Sequence, residues 1–335
     1  MASSYSNLHP VDQILTSLVQ EAVPSDDQLI ADKIFETIKV PERSGTLLLE
    51  ETRNFMGAGA GLDLQRAPGS SRASIGGFDR SSQTFMAKIY GAQDSIAMED
   101  IFDSQYPGSE EERIARKVAR VIKLAREKRA ADLLFDTANF NNSDSTTEFG
   151  GKFNASGATP LEYLHELKDT VFEAAHGINP DTLVMGRQLF RELARNPEVR
   201  GVISVGAPGF GVASGDRVLN DGVVLNVLRD VLGIPNIFVG QARQDTAVPG
   251  ATSSESYIWT GDSLFMGILK GSDAIVQKSG NVKGMPVAAL NLSYNDMVAG
   301  QYDSLDKTRR YVYAEEVGVF HKVDSTLGRI ITDCL

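Results

Sequence analysis

The side chains with the chemistry for catalysis or metal binding are few and scattered in this chain. His9, His165, His176 and His321 stand far apart, with no His-Glu-x-x-His and no metal-ligand spacing, so each reads as a surface or structural histidine. The single cysteine, Cys334, cannot form an intrachain disulfide or a cysteine-based metal site. It reads as a free thiol near a chain end, with an intersubunit disulfide as the alternative. Gly57-Ala58-Gly59-Ala60-Gly61 runs into Leu62 and does not lead from a strand into a helix, so it fails the dinucleotide pattern. Gly150-Gly151-Lys152 runs into Phe153 without the upstream glycine of a phosphate loop, and no Gly-x-Ser-x-Gly elbow occurs. Gly206-Ala207-Pro208-Gly209-Phe210-Gly211 reads as a mobile loop, a ligand clamp being the minor alternative. Nothing in the sequence pairs its carboxylates. The residues give catalysis no positive support and imply no cofactor and no metal.

Bulk properties narrow the class. With 335 residues, the chain is long enough for two domains or for one with large insertions. Its 42% hydrophobic and 23% charged residues are ordinary for a soluble globular protein. A net charge of −11 argues against a dedicated nucleic-acid binder, since phosphate affinity rests on Lys and Arg. No stretch reaches the roughly 20 apolar residues of a membrane span, and Met1 to Gln20 lacks the basic and apolar regions of a secretion signal. A reducing cytoplasm is the expected setting, at least at first.

The elements that must position any site are clearer. Residues 1–45 read as an arm punctuated by Pro10, Pro24 and Pro41, with short amphipathic helices over Val11–Glu21 and Asp26–Phe35 that need docking. A long helix is predicted over 110–136. Ser109 and Glu112 form a capping box behind the Pro107-Gly108 turn, and three successive acids suit the helix dipole. Ile114, Val118, Val121, Ile122, Ala125 and Leu133 share one face by spacing. Arg113, Arg116, Lys117, Arg120, Lys123, Arg126, Lys128 and Arg129 fall on the other, as a solvated face or as a basic strip for acidic neighbours or nucleic acid. After a polar loop over 139–158, Thr159, Pro160 and Glu162 predict a second capped helix. Leu161, Leu164, Leu167, Val171 and Phe172 would line its apolar face, and Gly177 would stop it.

Beyond Gly177 the pattern becomes α/β. Strands are predicted at 182–185 and 236–239, and helices at 187–194 and 223–232, the latter stopped by Gly233. Tyr257–Trp259 and Leu264–Leu269 look like a hairpin turning at Gly261-Asp262. Glycine-rich loops occupy 205–215 and 240–254. Strands at 288–292, 310–314, 318–322 and 330–332 are expected to pair around the long helix, making the α/β block an insertion.

The excursion over 46–92 stands apart from these. It leaves on Thr46-Leu47-Leu48-Leu49, loosens through glycines and Arg66-Ala67-Pro68-Gly69, and returns over Gln83–Tyr90. A two-stranded arm with no buried face is marginal alone. Support by a neighbouring copy is the expectation, and a disordered linker the alternative.

In the order and spacing of its segments, the chain resembles the tailed-bacteriophage major capsid proteins of Hong Kong 97-type fold, an α+β class. The segments are Ala31-Asp32-Lys33-Ile34-Phe35 with Val40-Pro41, Arg66-Ala67-Pro68-Gly69 with Gly76-Gly77-Phe78, Asn179 to Gly186, and Leu189-Phe190 and Leu193 with Asn196-Pro197. Asn236 to Gly240 with Ala242, and Tyr257-Ile258-Trp259, complete them. Together they run from about residue 7 to 322.

The resemblance implies an N-terminal arm over 1–45, an extended loop over 46–95, a peripheral domain over 96–177 with spine helix 110–136, an axial domain over 178–287, and a return to the peripheral domain over 288–335. It implies hexamers and pentamers of an icosahedral phage head around double-stranded DNA contacted non-specifically, in virions assembled in a host cytoplasm. Because the chain begins directly with the arm, scaffolding is expected from a separate protein, beside a portal and a possible decoration protein; no membrane is involved. Leu48, Arg53, Arg66, Phe78, Phe85, Lys88, Arg116 and Arg120 are candidate intersubunit contacts. Lys88 does not establish the Lys–Asn crosslink of some relatives. The Gly57–Gly61 run is a candidate hinge for shell expansion. An encapsulin-like nanocompartment and an α/β enzyme with a lid loop are the rival readings.

Overall fold

A computed structural model describes residues 12, 15–17, 29–50, 65–66, 68–69, 71, 80–103, 109–144, 151–155, 157–206, 220–248, 250–270, 275–276, 282–284 and 287–335. Expectations for Arg53, Phe78 and the Gly57–Gly61 hinge, for most of the arm helix over 11–21 and for the start of the one over 26–35 lie outside these residues. So do residues 207–215 of the glycine-rich loop and the Ser109 side chain.

The chain enters on helix α1 (Ala31–Ile34) and strand β1 (Thr37–Lys39), then forms β2 (Ser44–Glu50) and β3 (Arg80–Met86). Strand β4 (Lys88–Ala97), a short α2 (Met98–Asp103) and the long α3 (Ser109–Leu134) follow, then β5 (Asn141–Asp144) and α4 (Pro160–Ala174). The α/β block contains β6 (Thr182–Gly186), α5 (Arg187–Arg195), α6 (Pro197–Gly206), α7 (Asp221–Leu232) and β7 (Asn236–Gly240). Strands β8 (Arg243–Asp245), β9 (Glu255–Tyr257), β10 (Leu264–Gly267), β11 (Ile275–Val276) and β12 (Val282–Gly284) complete it. Long strands β13 (Ala289–Asp303) and β14 (Arg309–Lys322) and the short β15 (Gly328–Thr332) end the chain.

Three larger sheets organise these elements. The first has the order β1-β13-β14-β4 and the second β5-β15-β10-β6-β7. The third, β11-β12-β2-β3, joins the root of the excursion to the far end of the α/β block.

Helix α3 lies along the first sheet. Ile114, Ala115, Val118, Ala119 and Ile122 pack on Ile96, Ala299, Val312 and Ala314. Further along, Ala130, Ala131 and Leu134 face a different core, with Trp259, Phe265 and Ile330. The buried stripe therefore rotates around the helix as its packing partner changes. That rotation corrects two expected core positions: Val121 is 51% exposed and Ala125 is also exposed.

In the second sheet, alternate residues feed two cores. Leu183, Met185, Leu264, Met266 and Ile331 face helices α4 to α7, whereas Val184, Phe265 and Ile330 face the core beside α3. Burial on both faces is why these strands are continuous apolar runs. It also corrects the expected hairpin over 257–269. Strand β10 pairs with β6 and β15, while β9 pairs with β8. Strand β15 lies in this second sheet between β10 and β5, the strand that follows the long helix, and its Ile330 packs beside Ala130, Ala131 and Leu134.

Helix α4 also belongs with the α/β block, through Leu161, Leu164, Leu167 and Val171. Phe172, expected on that face, is 38% exposed. Thr159 makes no side-chain cap. The Leu161 N–H donates instead to Glu198 Oε2 on α6, at 2.9 Å. Gly177 (φ +91°) and Gly233 (φ +63°) close α4 and α7 in the left-handed region, where glycine carries no Cβ penalty.

The excursion's root has support within its own chain. Strand β2 pairs with β3 on one edge and β12 on the other, and Leu47 and Phe85 are buried in the main core. A ribbon lacking any buried face is not what these residues form.

Candidate assembly surfaces

The long helix carries the basic face that its sequence displays, but much of it is answered by acids of the same chain. Arg113 pairs with Glu110 at 2.6 Å, Lys117 with Asp94 at 2.6 Å and Lys128 with Asp132 at 3.2 Å. The Lys117 hydrogen bond, the largest influence, holds the Asp94 carboxyl below its ordinary range. Arg126 and Arg129 both clasp Glu316 of β14, and Arg126 also reaches Asp32 of α1 at 2.8 Å. The Arg129 guanidinium lies 3.5 Å from the centre of the Tyr90 ring. Glu316 is 4% exposed, so this charge cluster sits inside the packing between α3 and the first sheet. Arg116 reaches Glu112 only at 3.7 Å, and Arg120 is exposed with no ion pair among the described residues.

The first sheet's other face is only partly exposed, with Tyr311 half-buried and Tyr313 and Val317 buried. Pleating sends Val312, Ala314 and Glu316 toward α3 and Tyr311 and Tyr313 away from it. Tyr302 of β13 stacks on Tyr311, with ring centres 5.0 Å apart, and its hydroxyl donates to Gln93 at 2.9 Å. Ile89 and Tyr302 are each 42% exposed on this sheet.

At the sheet's end, the β13–β14 turn is pinned by Asp306, which accepts from Ser304 Oγ and Thr308 Oγ1 and holds Leu305 wholly in solvent. The Met98 N–H donates to Thr308 O at 2.9 Å, tying this turn to α2, where Phe102 is 77% exposed. Contiguous exposed apolar patches mark surfaces that meet partners, whereas single exposed side chains are common on any protein.

The expected contact residues separate by position. Lys88, Arg116 and Arg120 are exposed, Arg66 is exposed on the excursion, and Leu48 is half-buried. Phe85 is 4% exposed in the chain's own core, which corrects its place among candidate contacts. Sequence reasoning passed over Leu305, Phe102 and the tyrosine face, because a lone exposed leucine or a tyrosine on a strand has no sequence signature. Cys334 is buried with its thiol directed at Ile331 O, which does not suit an intersubunit disulfide in this conformation. His321 is half-buried beside Gln83, and burial, with Lys322 adding, lowers its pKa.

Among the described residues, no group of three or more His, Cys, Asp or Glu is arranged to hold a metal. An open depression of about 760 Å³ is lined by Asp94, Lys117, Glu110, Arg113, Asp100 and Arg309, in which Glu110 pairs with Arg113 and Asp94 with Lys117.

No protein-family model matches the chain, and no curated protein does. Solved structures match it over nearly its whole length. A phage-related protein from Bordetella bronchiseptica RB50 is 17% identical with a TM-score of 0.66, over 97% of both chains. The virus-like particle from Pyrococcus furiosus is 10% identical with a TM-score of 0.55, over 95% of this chain and 97% of that one. The capsid of cyanophage P-SCSP1u is 10% identical with a TM-score of 0.55, over 92% and 89%. The chain has the α+β capsid fold of Hong Kong 97 type.

Proposed function

We propose that this chain is the major capsid protein of a tailed phage, assembling as hexamers and pentamers into an icosahedral head around double-stranded DNA. The observation that carries the reading is agreement in fold with a phage-related protein over 97% of both chains. The rigid Leu305 turn, Phe102 and the tyrosine face supply surfaces for neighbouring copies, and shells of this kind gain stability from modest contacts repeated by symmetry. Lys88, Arg66, Leu48, Arg116 and Arg120 are contact candidates on the same reading. A separate scaffolding protein, a portal and non-specific contact with packaged DNA complete it. No described helix is long and apolar enough to cross a membrane.

Expressing the full chain, with and without candidate scaffolds from the same genome, and imaging the product by electron microscopy tests this. Closed shells are expected; a population of compact monomers under every condition would refute it. The likeness to the Pyrococcus furiosus virus-like particle supports a closed shell on this reading and equally on a second one, a protein nanocompartment. The nucleic acid or protein content of particles purified from their natural source separates the two.

A further inference from the structure

We propose that Glu127 is a proton-operated latch between the N-terminal helix, the long helix and the Trp259 segment, tightening when its carboxyl takes up a proton and loosening when it ionises. Glu127 lies in the middle of α3 and is 2% exposed. Its Oε1 accepts the Ala31 N–H of α1 at 2.7 Å, and its Oε2 accepts the Trp259 Nε1–H at 2.8 Å. One carboxyl group thus joins three segments that are remote in sequence. Trp259 is also held from its edge by Phe135, with ring centres 5.9 Å apart. Helix α1, by contrast, is only four residues long and is followed by a three-residue strand. Ile30, Ala31, Ile34 and Phe35 anchor it in the main core, so ionisation of Glu127 strains this docking rather than freeing the helix outright.

No lysine or arginine among the described residues pairs with Glu127. The charged groups around it are otherwise committed or of the same sign. On α1, Asp32 opposes its charge and is itself taken by Arg126. On β14, Glu316 is taken by Arg126 and Arg129. On α3, Lys128 pairs with Asp132. The segment from Tyr257 to Thr260 brings no ionised side chain.

Burial is the leading influence and pushes the carboxyl up to about 7; hydrogen bonds from the Ala31 N–H, the Trp259 indole and the Ile30 backbone work against it, and Asp32 adds to the rise. The direction for stability follows from linkage. The docked state binds a proton more tightly than the unfolded or undocked chain, whose carboxyl sits near 4.5. Docking is therefore fully favoured below that value and weakens as pH rises through about 7. Water reaching the ionised carboxylate relieves its burial, and a local loosening at the Ala31 N–H contact admits it while the apolar side of α1 stays packed. This inference does not rest on assembly, and the unassembled chain suffices to test it.

Trp259 is the chain's only tryptophan, so its fluorescence reports on the latch directly. Titrating the full chain between about pH 5 and 9 should shift the emission with a midpoint near 7, while the Ala31 amide loses exchange protection over the same interval. Glu127→Gln should abolish the emission shift, and His321→Asn should keep it. Should Glu127→Gln fail to fold, infrared spectroscopy of the wild type reads the buried acid instead. A protonated-carboxyl band that titrates near 7 supports the latch, and its loss near 4.5 overturns it. Emission and exchange that stay flat across the range, or a shift that survives Glu127→Gln, would also overturn it.

Discussion

Glu316→Gln is the sharpest test of how the long helix is held to its sheet. In the wild type this carboxylate is 4% exposed and accepts from two guanidiniums, Arg126 on one oxygen and Arg129 on the other. The amide removes the charge and presents an N–H₂ group toward one of those donors. Arg126 keeps Asp32 at 2.8 Å, but Arg129 is left with the Tyr90 ring and the Ala125 carbonyl. Breaking a buried ion pair from one side costs about 3–5 kcal/mol, because the surviving charge stays desolvated. At about 2.1 cal/mol/K per residue, unfolding 335 residues carries about 0.7 kcal/mol/K, so the melting temperature should fall by about 4–7 °C. The assay is calorimetry or circular dichroism on unassembled subunits at fixed pH and salt. Adding Arg129→Met to Glu316→Gln should cost less than the sum of the two single changes, since the second removes the charge that the first strands. A fall below about 1 °C, or strict additivity, would show that the cluster contributes little and that apolar packing alone holds α3 in place.

Three other outcomes follow from the same structure. Phe85→Ala should destabilise the isolated subunit by about 3–5 kcal/mol, read by denaturant unfolding, because Phe85 is core; Leu48→Ala, at a half-buried position, should cost much less. Gly240→Ala should displace the indole and red-shift its emission at neutral pH, because a Cβ there would stand 2.1 Å from Trp259 Cγ; unchanged emission would contradict this packing. Leu305→Asp should leave the subunit's melting within about 0.5 kcal/mol of wild type yet lower the yield of shells, counted by electron microscopy, because the side chain touches only solvent in the single chain.

What could be read from the sequence was mainly what local chemistry decides. Glycine at the ends of α4 and α7, and apolar residues three and four apart, mark helices whatever surrounds them. Long-range pairing was not legible in the same way. Leu264–Gly267 is apolar throughout, and nothing within it says that its partners are β6 and β15 rather than the segment just before it. Val121 fits the spacing of the apolar stripe, yet α3 changes partners along its length and leaves Val121 outside. Glu127 and Glu316 were hidden for the opposite reason. A glutamate among many charged residues reads as surface, and only the fold shows Trp259 or a pair of arginines closing over it. Of the expected contacts, Phe85 was misassigned because a phenylalanine on an extended run looks alike whether its cover comes from its own chain or from a neighbour.

The claim on which the account turns is that this fold is built to be completed by copies of itself. Mass measurement of the purified full-length chain across a concentration series, by analytical ultracentrifugation with imaging of the heaviest fraction, tests it most directly. Capsomer-sized rings and closed shells that grow at the expense of single subunits are expected. A chain that sediments as a lone, compact particle at every concentration, with and without scaffold, would contradict it.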